Sequence, residues 1–122
     1  MFQVGVTTAF RGFHRMPSQP PPESELHPHE YRVEVVAERR RLDDRGMVCD
    51  LDLLRRSLSE VVGRARDRDL ADVCATEVVT VEALAAWMLT ELASPARNDG
   101  AELLSVRVWE SDDAFGGVRQ GL

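Results

Sequence analysis

Histidine occurs at only three positions, His14, His27 and His29, and all three stand where one metal ion could use them. His27 and His29 are one residue apart, ahead of the alternating run Tyr31, Val33, Val35, so on an extended strand both rings leave the same face. His14 ends a second alternating run, Phe2, Val4, Val6, Thr8, Phe10, and shares its face if no bulge intervenes. Pairing the two strands brings the third imidazole to the other two. Three neutral imidazoles with a fourth position open to water or substrate form the ligand set of a catalytic zinc, whereas a structural zinc is usually closed by four protein ligands. An H-x-H on a strand is a weak motif by itself, and a histidine beside an apolar face is more often a hydrogen-bonded core or surface residue. The surrounding sequence has to decide.

The elements that must position these rings can be read in order. A first strand covers about residues 2 to 10. It is followed by a loop containing Pro17-Ser18-Gln19-Pro20-Pro21-Pro22, which cannot continue a ladder. Pro28 predicts that regular pairing of the second strand begins at about His29. That strand alternates through Tyr31, Val33, Val35 and Ala37 to about Leu42, and Asp43-Asp44-Arg45-Gly46 is a turn. Asp50 is a plausible N-cap for a helix whose apolar stripe is Leu51, Leu54, Leu58, Val61, Val62 and Ala65. Thr80 caps a second helix with Val81, Leu84, Ala85, Met88 and Leu92 inward, ended by Ser94-Pro95. Leu104, Val106 and Val108 mark a third strand, and Gly116-Gly117-Val118-Arg119-Gln120 a short fourth. The order ββααββ predicts an α+β fold: a four-stranded antiparallel sheet with both helices on one face. The other face and the edges need covering, which self-association into a barrel would supply.

At 122 residues the chain is read as a single domain over 1–122. Its net charge of −6 argues against nucleic acid or an acidic membrane as partner, because both are held by concentrated positive charge. No apolar stretch approaches a bilayer span, and no signal peptide opens the chain, so a cytoplasmic location is expected. Cys49 and Cys74, far apart and in no C-x-x-C, read as reduced thiols. All fifteen basic residues are arginine, which excludes any mechanism built on a lysine Schiff base or a P-loop lysine.

Three stretches carry a family likeness: Phe10-Arg11-Gly12-Phe13-His14-Arg15-Met16, then His27-Pro28-His29-Glu30-Tyr31-Arg32-Val33-Glu34-Val35, then Gly46-Met47-Val48-Cys49-Asp50-Leu51. With Thr80-Val81-Glu82-Ala83-Leu84-Ala85 and Val106-Arg107-Val108-Trp109-Glu110, the chain resembles, along nearly its whole length, the 6-pyruvoyl tetrahydropterin synthase and 6-carboxytetrahydropterin synthase family. The resemblance implies zinc on His14, His27 and His29. It also implies the tunnelling fold, in which trimers close their sheets into a barrel and two trimers stack as a homohexamer with active sites between subunits. Glu110 matches the family's pterin-anchoring glutamate, which accepts two parallel hydrogen bonds from the 2-amino group and the ring N–H. Thr80 matches a residue near the pterin ring, a position its capping role explains equally well. Glu82 can be read as a first-turn carboxylate favoured by the helix dipole.

Departures from the family are as informative. Where the synthases place a nucleophile-like cysteine four residues before the H-x-H, this chain has Glu23. Some members with glutamate there resemble enzymes that cleave the dihydroneopterin triphosphate side chain to a 6-hydroxymethylpterin, and Glu23 would serve as general base. A solvated loop carboxylate is the plainer alternative. The family's Leu-Asp-His-Arg-Asp-Leu-Asn stretch is Ala65-Arg66-Asp67-Arg68-Asp69-Leu70-Ala71 here, so Asp67 replaces the relay histidine and Arg66 its aspartate. A pair without imidazole cannot shuttle protons near neutral pH in the same manner. The leading expectation is a zinc-dependent lyase acting on a dihydropterin side chain. In it the metal polarises a side-chain oxygen, Glu23 or Asp67 moves the proton, and Glu110 with Thr80 holds the heterocycle. Two alternatives are a zinc enzyme on a non-pterin keto or hydroxy substrate and a non-catalytic pterin-binding homologue.

Overall fold

The computed structural model covers residues 1–122. Two long strands, β1 (Phe2–His14) and β2 (His27–Arg39), pair antiparallel without a bulge from Phe2 opposite Arg39 to His14 opposite His27. Both run further toward the loop than their sequence predicts, and Pro28 explains how. Phe13, its partner, donates its N–H to the Arg68 carbonyl on the side away from β2. The two residues therefore form a non-hydrogen-bonded pair, and the N–H that Pro28 lacks would point toward the third strand. That strand, β3 (Leu103–Ser111), meets β2 only between Arg32 and Glu38. The proline costs the ladder no bond. With β4 (Ala114–Gly121) the sheet order is β1-β2-β3-β4, antiparallel throughout.

The helices lie on one face. In α1 (Leu51–Ala65) the Asp50 carboxylate accepts from the backbone N–H groups of Asp52 and Leu53, and Leu54, Leu58, Val61, Val62 and Ala65 are buried. The chain then makes a helical turn that was not expected, α2 (Leu70–Cys74), with Asp69 as its N-cap. Five residues are too few to display a helical period. Its anchor, Leu70, is fully buried, and a Cβ on Gly12 would lie 3.0 Å from Leu70 Cδ1, so the glycine of β1 is the slot that the leucine fills. The last helix, α3 (Val81–Asn98), is capped by the Thr80 hydroxyl accepting from the Ala83 N–H, and it continues through Pro95. The expected stop at Ser94-Pro95 comes one turn late because Ala96 is buried in the core. Gly100, at φ +104°, makes the exit, passing against Arg39 where a side chain would collide. Val33, Val35, Leu104, Val106 and Val108 of the sheet meet Leu58, Leu84, Met88 and Leu92 in one continuous core. Together these elements form the expected four-stranded antiparallel α+β arrangement, with the short turn α2 between the two long helices. No helix is long and apolar enough to cross a membrane.

The opposite face of the sheet is charged and aromatic. Arg32 stacks 4.5 Å over Trp109, Arg107 stacks over Phe115, and Glu38 is buried there at 4% exposure. Glu38 Oε1 accepts from Gln3 Nε2 and its Oε2 from Arg119 Nε, each at 3.0 Å, so one carboxylate ties β1 and β4 to β2. These two hydrogen bonds, Gln3 first and Arg119 second, hold its pKa below the usual carboxylate range against the effect of burial. A carboxyl with a lowered folded-state pKa stabilises the protein above its unfolded-state pKa, and that contribution is lost as pH falls through the folded-state value. The variant Glu38→Gln is expected to be less stable by about 1 kcal/mol at pH 7. Thermal melts should show the gap from the parent protein closing as the pH drops below the ordinary carboxylate range.

Candidate metal centre and ligand cleft

The last step of the β1–β2 ladder faces His14 directly with His27, and His29 follows on the same side. Ring centroids lie 4.6 Å apart for His14 and His27, 4.7 Å for His14 and His29, and 5.1 Å for His27 and His29. One ligand nitrogen from each ring falls within 4.8 Å of the others, close enough for small ring rotations to bring all three onto a zinc ion at Zn–N distances of about 2.0–2.1 Å. The backbone fixes which nitrogens are offered. His14 Nδ1 lies 3.3 Å from the Val79 carbonyl and His27 Nδ1 lies 2.8 Å from the Glu25 carbonyl. A carbonyl only accepts, so both rings carry a proton on Nδ1, and Nε2 is the nitrogen each has to offer a ligand.

His14 Nε2 supplies the test of fit. It is buried and has no hydrogen-bond partner, a state that costs free energy unless something fills it. Burial holds the His14 pKa below its usual value, the Val79 carbonyl opposes this, and the neighbouring imidazoles of His29 and His27 lower it further. The ring is therefore neutral, as a metal ligand must be.

The three rings form part of the wall of an open cleft of about 580 Å³ that also takes in Met16, Pro22, Glu23, Tyr31, Thr80, Val81, Glu82 and Glu110. Glu23 reaches it from the proline-rich loop, which Met16 closes by donating its N–H to the Glu23 carbonyl at 2.7 Å. Glu110 arrives at the end of β3 on the face that carries Val106 and Val108. Thr80 lines the cleft while its hydroxyl caps α3. Asp67 stands elsewhere. It follows the end of α1 at φ +58°, donates its N–H to the Arg11 carbonyl and accepts from Arg11 Nε at 3.0 Å, on the outer edge of β1 and outside the cleft lining.

Two polar cleft residues, Tyr31 and Glu82, are not picked out as site residues by the sequence. Tyr31 reads as a core position of β2, but it is two residues beyond His29 on the same face, a signal of period two that was available. Burial first, then the charge of Glu110, pushes its phenol pKa far up, so its hydroxyl is a permanent donor. Glu82 reads as a helix-dipole carboxylate, and nothing in the sequence links it to β4. The two thiols are removed from chemistry: burial raises both Cys49 and Cys74 to about 11.

Comparison with known proteins gives one family and one fold. The family model described as 6-pyruvoyl tetrahydropterin synthase matches residues 3–120. Among solved structures, the chain is similar to the Caenorhabditis elegans 6-pyruvoyl tetrahydropterin synthase, at 21% identity, TM-score 0.75, and coverage of 98% of this chain and 96% of that one. It is similar to the Plasmodium falciparum enzyme at 15% identity, TM-score 0.80, and 99% and 98% coverage. A Plasmodium vivax 6-pyruvoyltetrahydropterin synthase carrying an alanine substitution of a catalytic glutamate aligns at 12% identity, TM-score 0.76, and 99% and 98% coverage. At these identities the structures speak to the fold alone. No curated protein matches the sequence.

Replacing His14 by alanine removes the most buried of the three imidazoles, whose Nε2 has no partner within the chain. Metal analysis of purified protein is expected to fall from about one zinc per chain to near zero in His14→Ala, with the far-ultraviolet circular dichroism of the sheet retained.

Proposed function

From membership of the 6-pyruvoyl tetrahydropterin synthase family, to which this chain belongs over residues 3–120, we propose that it is a zinc-dependent lyase acting on the side chain of a dihydropterin. The observation that carries this reading is the meeting, in one cleft, of three imidazoles with three carboxylates, Glu23, Glu82 and Glu110. His14, His27 and His29 hold the zinc. When bound, the ion supplies Lewis-acid polarisation of a substrate oxygen. Glu110 accepts the paired N–H groups of the heterocycle, a fork that selects for a cyclic guanidine edge. Tyr31, held protonated, donates from the floor of the cleft beside it, and Thr80 adds contact at the start of α3.

Glu23 takes the proton. It is the carboxylate that the loop carries into the cleft next to the histidines, and it stands where relatives use a cysteine. The glutamate named as catalytic in the P. vivax relative supports a carboxylate in this role. Asp67 enters the chemistry only through the cleft of a neighbouring subunit, since its own chain holds it against Arg11 on the outer edge.

The sheet edges support assembly. Toward its end, β1 is covered by Asp67 and Arg68, which bond Arg11 and Phe13. This leaves Phe2–Ala9 free, the same length as the unpaired edge of β4 at Ala114–Gly121. Two exposed edges of matched length invite pairing between copies, and we read the protein as a cytoplasmic hexamer of two stacked trimers. Thr7→Pro removes an N–H on the free side of β1 without touching the β1–β2 ladder. Light scattering should show this variant reduced to a smaller species with its secondary structure intact.

Turnover is tested with zinc-loaded protein, product identified by mass. Dihydroneopterin triphosphate and the unphosphorylated compound are assayed side by side, because no arginine lines the cleft. Formation of a 6-hydroxymethylpterin supports the Glu23 reading, and Glu23→Gln should then lose roughly a hundredfold or more in kcat. The competing reading, a pterin-binding homologue without turnover, is favoured by the tie of Asp67 to Arg11. It predicts tight dihydropterin binding with no product.

A further inference from the structure

Gly116 is buried in β4 opposite Val108, on the face of the sheet that meets α3. Its backbone is not in the left-handed region, so the turn or strand geometry does not require glycine. Proximity does. A Cβ at this position would lie 2.6 Å from Val81 Cγ2, 2.8 Å from Glu82 Oε1 and 3.0 Å from Glu82 Cγ, all inside ordinary van der Waals separation. The first turn of α3 therefore rests on bare β4 backbone, and the Glu82 side chain lies across it. A carboxylate serving only the helix dipole has no need of that slot. Glu82 takes part in no side-chain ion pair or hydrogen bond, as is true of Glu110, and it lines the same cleft as Glu110, which follows Val108 on the same face of β3.

We propose that Gly116 is a positioning residue that keeps the Glu82 carboxylate in the cleft as a second hydrogen-bond acceptor beside Glu110, fitted to a flat heterocycle with more than one N–H donor. The identity of that ligand as a pterin rests on the proposed function; the placement of Glu82 by Gly116 does not. Glu82 binds, and Gly116 acts through it.

The test is a double-mutant cycle on the full, zinc-loaded chain with Gly116→Ala, Glu82→Ala and the pair, probed with 7,8-dihydroneopterin by calorimetry. It is repeated in a Val81→Ala background, which removes the closest clash and guards against a variant that fails to fold. The expected result is a rise in Kd of about tenfold in each single variant. The double variant should bind no more weakly than Glu82→Ala, zinc content should be unchanged, and any turnover should fall through KM and not kcat. Parent-like binding by Gly116→Ala, or losses that multiply in the double variant, would overturn the inference. The carboxyl carbon resonance of Glu82 in ligand-free protein separates it from the pterin reading. If the parent binds no dihydroneopterin, that reading fails. A resonance moved by Gly116→Ala still upholds the positioning, and an unmoved one refutes it.

Discussion

The uninterrupted β1–β2 ladder is the constraint on which the site depends. Side-chain direction along a strand has a period of two, so one extra residue anywhere between Phe2 and His14 would turn the last imidazole to the charged face. The pairing of His14 with His27 is therefore a statement about the whole length of both strands. Pro28 leaves this register intact because β3 stops short of it, so there is no partner for the N–H that the proline lacks. The same early stop opens the space into which Glu23, Tyr31 and Glu110 project.

The rest of the cleft is organised by the entry to α3. Val79 offers its carbonyl to His14, Thr80 caps the helix, and Val81 and Glu82 lie on β4 at Gly116. One short segment thus joins His14 at the end of β1 to the far edge of the sheet. The other end of β1 is tied by a different device. Glu38 collects Gln3 and Arg119 across the charged face, and that face carries stacked arginine and aromatic side chains where helices would otherwise cover it.

What could be read from the residues follows from which interactions are local. Alternation over Phe2–Phe10 and Tyr31–Ala37, the cap at Asp50 and the cap at Thr80 are signals within a few positions, and each appears in the structure as read. The three histidines follow from the same period of two. The helical turn at Leu70 was hidden because its reason is the glycine slot at position 12, far away in the chain. Pro95 has the local chemistry of a stop, whereas burial of Ala96 carries the helix past it. Asp67 stands in a stretch that resembles the family's relay, and the structure gives it a partner on β1. Glu82 needed β4, a contact no local pattern contains.

Several carboxylates outside the cleft are matched to arginines: Asp67 to Arg11, Asp69 to Arg15, Glu34 to Arg107, Glu38 to Arg119, Glu91 to Arg64 and Glu102 to Arg40. Glu23, Glu82 and Glu110 belong to none of these pairs, although fifteen arginines were available to supply them. Three acidic groups gathered around three imidazoles repel one another, and a protein gains nothing in stability by collecting them without a cation. A divalent ion on the histidines and a ligand edge rich in N–H donors would answer that imbalance together. The unpartnered Nε2 of His14 and the unpaired carboxylates are thus two sides of one arrangement: polar groups that the chain gathers in one cleft and does not itself satisfy.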